Sequence, residues 1–236
     1  MTARPAAVER GDEPRASEFA SALGRGDVDR VRALLAADPT LATSVINSYR
    51  PLHLFADAPG HRPHAAAIVA ALVTAGADLD AHAVGAGHHE TALHWAASND
   101  DVELVDVLVD AGADIEHPGS SIGGGPPSQS ALGYGQWAAL RRLYERGAVL
   151  SLAQAAALGL TSPVTSLVED GEPSVEDLSV ALWNACRAGQ PDTARYLVDR
   201  GADVHWQAPW SDQTPLDVAV AEHRDDVVAW LRSVRR

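Results

Sequence analysis

Apolar and polar positions along the chain follow a helical rhythm that repeatedly stops and restarts. In the stretch TALHWAASNDDVELVDVLVDAGAD, residues 91–114, an opening tetrapeptide leads to the small residues Ala96 and Ala97 and then to a polar turn at Asp100. Val102, Val105, Leu108 and Val109 then recur at the i, i+3, i+4 spacing of a helix that turns one face to a core. The spacing predicts two short helices joined by a tight turn and closed by Gly112-Ala113. The same template fits six further places, beginning at Ser17, Arg50, Pro126, Leu150, Val180 and Thr214, so the steps between starts are 33, 41, 35, 24, 30 and 34 residues. Helices of about eight to ten residues are marginal alone in water, so such pairs must stack on their neighbours to bury their stripes. The expected fold is all-α, a solenoid of about seven helix-turn-helix repeats spanning 17–236, with irregular fingers between repeats and a flexible segment at 1–16.

Punctuation refines this picture. Gly26, Gly135, Gly159 and Gly189 fall where a left-handed residue would end the first helix of a repeat. The Gly-, Ser- and Pro-rich tract HPGSSIGGGPPSQ, 117–129, reads as a mobile loop without a single conformation. It is not a phosphate loop, because no lysine follows its glycines and Pro126 and Pro127 lack amide hydrogens. Arg142 sits at an apolar register position, which marks the fourth repeat as irregular. The step of 24 residues between the fourth and fifth repeats leaves no room for a finger, and a pocket is expected at that gap.

The tetrapeptides and closes carry a family resemblance. TALHWAAS, RPLHLFAD and TPLDVAVA resemble the Thr-Pro-Leu-His opening of ankyrin repeats, and AGADI, AGADLD and RGADVH resemble their Gly-Ala-Asp close. The resemblance spans roughly 17–234, and is strongest in the second, third, sixth and seventh repeats. It implies a structural, hydrogen-bonding role for His53 and for the pair Thr91 and His94. It also implies recognition of a protein partner through the concave side and the fingers. The first-helix positions this nominates are Tyr49, Asp57, Glu90, Ser98, Asn99, Tyr134, Arg187, Gln213 and Glu222.

Composition then narrows the partners. With 18 basic and 32 acidic residues the formal net charge is −14, which repels phosphate backbones and anionic membranes, so neither nucleic acid nor a membrane is expected as a partner. All the basic residues are arginines, which excludes lysine Schiff-base chemistry. The one cysteine, Cys186, excludes an internal disulfide and fits a reducing cytoplasm. The N-terminal residues contain no apolar signal core, and the longest apolar run, 65–73, is about half of what a bilayer requires. Alanine- and arginine-rich, lysine-free usage points to a bacterial source.

Candidate chemistry is concentrated in two places. Eight of the ten histidines lie between His53 and His117, and of these His61, His64, His82, His88 and His89 fall outside the structural position, on loops. Without a His-Glu-x-x-His pair or an accompanying thiolate they are expected to be solvated rather than metal ligands, and no cofactor is expected. The second place is the finger VHWQAPWSDQ, in which Trp206 and Trp210 are either a partner hot spot or a local packing pair. Trp95, Trp137, Trp183 and Trp230 lie in core or semi-core register on helices and are expected to be packing residues. The leading reading is a non-enzymatic protein-binding scaffold. The alternative is a small-molecule binder or enzyme whose groove, in the second and third repeats, brings His64, Asp57, His88, His89 and Glu90 together as acid and base groups.

Overall fold

The computed structural model describes residues 9–10, 13–57, 63–85 and 89–234. His61 and His88 lie outside these residues. Among them the chain is helical and carries only two isolated β-bridges. It divides into two compact blocks, Met1–Ala148 and Val149–Arg236. The division falls where the 24-residue step leaves no finger between the fourth and fifth repeats.

In the N-terminal block the helix pairs are α1 (Pro14–Arg25) with α2 (Val28–Ala37), α3 (Pro51–Ala56) with α4 (Ala65–Thr74), α5 (Ala92–Ser98) with α6 (Val102–Asp110), and α7 (Pro127–Tyr134) with α8 (Trp137–Glu145). First helices pack on first helices, α1 on α3, α3 on α5 and α5 on α7, while α2, α4, α6 and α8 stack in the same order as a second layer. The predicted stripes explain why. Phe55, Leu93, Ile68, Leu72, Leu104, Leu108, Leu140 and Leu143 are fully buried between the layers, and the alanines 96, 97 and 131 let first helices approach closely. In the C-terminal block, α9 (Leu152–Ala157), α11 (Val175–Ala188) and α13 (Pro215–Ala221) are the first helices, and each packs on its second helix, α10 (Thr161–Glu169), α12 (Pro191–Asp199) or α14 (Asp225–Val234).

Several boundaries differ from the sequence reading. The first helix starts at Pro14, and before it Arg10 reaches across to Asp38 at 2.7 Å, so part of the segment expected to be flexible belongs to the fold. Ser151, not Leu150, caps the fifth repeat, in a capping box with Gln154. In the sixth repeat Ser174 and Asp177 form such a box, so α11 begins before Val180 and runs for 14 residues. The finger after the first repeat is a tight hairpin in which Ile46 and Tyr49 exchange both backbone hydrogen bonds, with Asn47 and Ser48 at positive φ.

The expected irregularity at Arg142 is absent, because α8 is an unbroken helix. The guanidinium of Arg142 donates to Asp106 of α6 at 2.7 Å and to Glu145 at 3.0 Å, and Arg146 joins Asp106 at 2.7 Å and also Asp110. Partial burial works against the Asp106 carboxylate, but the hydrogen bonds from Arg142 and Arg146 outweigh it and hold its pKa below the ordinary value. A charge at that register position thus cross-links two second helices. The glycine-rich tract is also more defined than its composition implies. The Ser120 amide donates to the Gly125 carbonyl at 2.9 Å, the Gly124 amide returns to the Ser120 carbonyl at 2.9 Å, and the Ser130 hydroxyl donates to that of buried Ser120.

Candidate functional site

One kind of hydrogen bond runs from repeat to repeat through the first helices. His94 sits at the third position of α5 and is fully buried. The Thr91 amide donates to its Nδ1 at 3.1 Å, so the ring proton lies on Nε2, which donates to the Gly125 carbonyl at 3.2 Å, just before the next opening. His53 does the same one repeat earlier, with Nε2 donating to the Glu90 carbonyl at 3.0 Å. In the sixth repeat Trp183 holds the histidine position, and its indole Nε1 donates to the Gln213 carbonyl at 3.1 Å. An indole and an imidazole therefore serve the same junction, because each offers one ring N–H at the same reach. Burial pushes the His53 imidazole down to about 4 and lowers that of His94 as well. Each of these buried rings links one repeat to the next through a single N–H.

A second series of junctions uses residues at or near the start of the second helix. Asn99 donates to the Ala56 carbonyl at 2.9 Å, Gln136 to that of Ser98 at 3.1 Å, and Arg224 to that of Arg187 at 3.0 Å. Each bond satisfies a carbonyl near the end of a first helix, where no intrahelical partner remains. Asn99, nominated for a partner, thus already spends its amide inside the fold. Ser98 is half-buried, with its hydroxyl on the Trp95 carbonyl at 3.0 Å.

The other nominated positions are more available. Tyr134 is 53% exposed. Asp57 is exposed after α3, whereas half-buried Tyr49 meets the Trp95 ring edge to face at 5.6 Å. In the C-terminal block Arg187 and Glu222 face each other at 3.6 Å, and the Arg187 guanidinium lies 5.8 Å from the centre of the Trp183 ring. The tryptophan finger packs on itself and on α11. Trp210 packs edge to face on Trp183 at 5.5 Å and against Trp206 at 5.6 Å, yet 58% of it remains exposed. Half-buried Gln213 ends the finger; its amide donates to nothing described, and its carbonyl serves both Trp183 and the Ala208 amide.

The acid and base groups proposed for a groove do not come together as a set. His89 and Glu90 line a cavity of about 430 Å³ in the N-terminal block, but His64 and Asp57 are not part of its wall. Exposed His64 instead precedes α4 beside Pro63, whose carbonyl lies against Gly26 at the end of α1. The cavity's other imidazoles are His82 and His117, and Ser120, Ser121 and Gly124 complete it. Glu90 is already engaged, since its carboxylate accepts from the Ser121 amide at 3.2 Å and the Ser121 hydroxyl at 3.0 Å. His117 went unnoticed as a neighbour of His82, although both follow the Gly-Ala-Asp close of successive repeats by nearly the same distance. That matching offset was the available signal. Among the described residues no three histidine, cysteine, aspartate or glutamate side chains are arranged to hold a metal ion, and no helix is long and apolar enough to cross a membrane.

Comparison with known proteins returns a consistent picture. A family model described as ankyrin repeats (3 copies) matches residues 19–118 and 152–234. Among solved structures, the human ASB11 ankyrin repeat domain is similar at 20% identity and a TM-score of 0.56, covering 90% of this chain and 96% of that one. No curated protein sequence matches the chain.

Proposed function

Because the chain belongs to the ankyrin repeat family, whose members are generally protein-interaction modules, we propose that it is a binding scaffold that holds a protein partner on its first helices and fingers. The observation that carries this reading is Trp210. A tryptophan 58% exposed, yet held in place by two neighbouring indoles, is a large surface that loses little side-chain freedom when a partner covers it. Arg187, Glu222 and Gln213 supply polar groups beside the aromatic cluster, as the rim of an interface does. In the N-terminal block the corresponding positions are Asp57, Glu90, Ser98 and Tyr134, of which Tyr134 and Asp57 offer the most exposed surface. The buried single thiol of Cys186, whose pKa burial raises to about 12, suits a reducing cytoplasm in which no disulfide is needed.

The experiment is a selection of peptides from a displayed library on the immobilised protein, with Trp210→Ala as the counter-selection target. Binders that depend on Trp210 should lose about thirtyfold or more in affinity on the variant, the effect of a hot spot of about 2 kcal/mol. The melting temperatures of the two proteins should be nearly equal. Binders indifferent to Trp210, or a variant that is grossly destabilised, would refute the assignment of this surface.

A further inference from the structure

We propose that the partner meets Trp210 with an arginine, carried in a basic segment, whose guanidinium stacks on the exposed indole and pairs with Asp212. This rests on the reading of Trp210 as a partner-binding surface and adds the chemistry that the surface recognises.

The finger holds ring and carboxylate in a fixed relation. The Ser211 and Asp212 amides both donate to the Ala208 carbonyl, at 3.1 and 2.8 Å, and the Ala208 amide donates to the Gln213 carbonyl at 3.0 Å. That last carbonyl also accepts the Trp183 indole N–H at 3.1 Å, so the loop is tied to α11. Asp212 has φ +56°, a conformation that aspartate and asparagine adopt more readily than most residues. Trp210 and Asp212 are both exposed, two residues apart on this turn. A partner therefore finds the two groups already placed and orders little of the finger when it docks.

The charge around the finger decides which side chain suits it. Between 203 and 226 the chain carries six carboxylates, Asp203, Asp212, Asp217, Glu222, Asp225 and Asp226, against Arg224 alone. Several are spent within the fold. Asp203 accepts from the His205 amide at 2.8 Å, Asp217 from the Thr214 amide at 2.9 Å, and Glu222 faces Arg187 at 3.6 Å and Arg224 at 3.9 Å. Asp212, on the exposed turn, is the carboxylate nearest to Trp210 along the chain. The face of an indole attracts a cation, and a carboxylate beside it adds to that attraction. An apolar anchor would cover the ring but gain nothing from Asp212. An acidic one would be repelled by Asp212 and by the net charge of −14.

The same block already sets arginines against aromatic rings. The guanidinium carbons of Arg187, Arg195 and Arg200 lie 5.8, 5.8 and 4.6 Å from the ring centres of Trp183, Trp230 and Tyr196. Arginine suits such a place better than lysine, because its planar head can lie flat on a ring while its N–H groups reach a carboxylate. Trp210, with 58% of its surface exposed, offers room for one more, brought from outside.

Peptides selected from a displayed library on the full chain for dependence on Trp210 are the probe. Arginine should be enriched in them. Replacing that arginine with glutamine should weaken binding to the parent protein about fivefold or more, and lysine in its place should restore part of the loss. On Trp210→Leu, which keeps an apolar side chain but no ring, the same replacement should change little. Asp212→Asn removes a charge from a backbone conformation that asparagine also accepts. It should weaken the arginine peptides about threefold at low ionic strength, spare their glutamine versions, and lose its effect at about 0.5 M salt. If Trp210→Leu melts early, Asp212→Asn carries the test. Trp210-dependent peptides that lack a cation overturn the inference and leave the scaffold surface standing. So does an arginine whose replacement costs as much on Trp210→Leu as on the parent, or binding indifferent to Asp212→Asn. A library that yields no Trp210-dependent peptide removes the inference together with the surface it rests on.

Discussion

His94 and His89 differ by five positions and by everything that matters physically. His94 is buried and bonded at both ring nitrogens, whereas His89 is exposed and its ring meets that of His82 edge to face. Replacing His94 with alanine leaves the buried Thr91 amide without its acceptor and removes one donor from the Gly125 carbonyl, which keeps the Gly119 and Ser120 amides, and should cost about 1 to 3 kcal/mol. The same change at His89 should cost a few tenths at pH 7. Urea midpoints of the two variants check the order, and equal losses would contradict it. Trp183 extends the argument to a residue that does not look like a histidine. Trp183→Phe keeps an aromatic ring but drops the N–H, which leaves the Gln213 carbonyl with the Ala208 amide alone, so it should lose about 1 kcal/mol. Trp183→His should recover part of that loss, because its Nε2 can make the same bond.

Helices in this chain are joined by side chains as much as by apolar stripes, and this is where the sequence was hardest to read. The stripes, the turn glycines and the repeat count followed directly from periodicity, because 3.6-residue spacing has no competing explanation over Val102–Val109. The cross-links did not, because a hydrogen bond between residues 36 apart leaves no local pattern. Arg142 looked like a fault in the stripe until Asp106 and Asp110 were found opposite Arg142 and Arg146, an i, i+4 pair of acids facing an i, i+4 pair of bases one repeat later. The candidate site shows the same division. Trp206 and Trp210 were visible as loop aromatics, but the packing of Trp210 on Trp183 and Trp206 required the turn of the finger to be known. Two variants separate the kinds of junction. Arg142→Ala removes solvent-screened ion pairs and should lower the melting temperature only slightly, and less still in high salt. Gly189→Ala places a Cβ at φ +78°, 2.9 Å from the Arg224 side chain that bonds the Arg187 carbonyl, so it should cost more than 1 kcal/mol with no salt dependence. Thermal melts of both at low and high salt measure the contrast.

The whole chain carries its titratable struts and its net charge in opposition, and pH decides between them. At pH 7 the formal charge of −14 destabilises the folded state by self-repulsion, which lessens as acid neutralises carboxylates. That gain belongs mainly below about pH 5, and salt near 0.15 M screens much of it. The buried histidines act earlier. The folded value of His53 is about 4 against an ordinary 6.5, and His94 is displaced in the same direction, so the unfolded chain takes up protons that the folded one refuses. Stability from these groups is complete above about 6.5 and drains away as pH falls toward 4, by on the order of 2 to 3 kcal/mol for His53 alone. The lowered carboxylates Asp38, Asp106 and Asp177 add to the loss at lower pH, around and below their ordinary value of 3.8. The windows therefore overlap only between about pH 5 and 4. Denaturant unfolding at pH 7, 5.5 and 4.5 in 0.15 M salt should show stability falling between the first and last values. His53→Gln supplies an uncharged donor toward the Glu90 carbonyl and should flatten that fall while lowering stability at pH 7 only modestly. A parent protein whose stability rises over this range would mean that relief of the −14 charge outweighs the buried imidazoles.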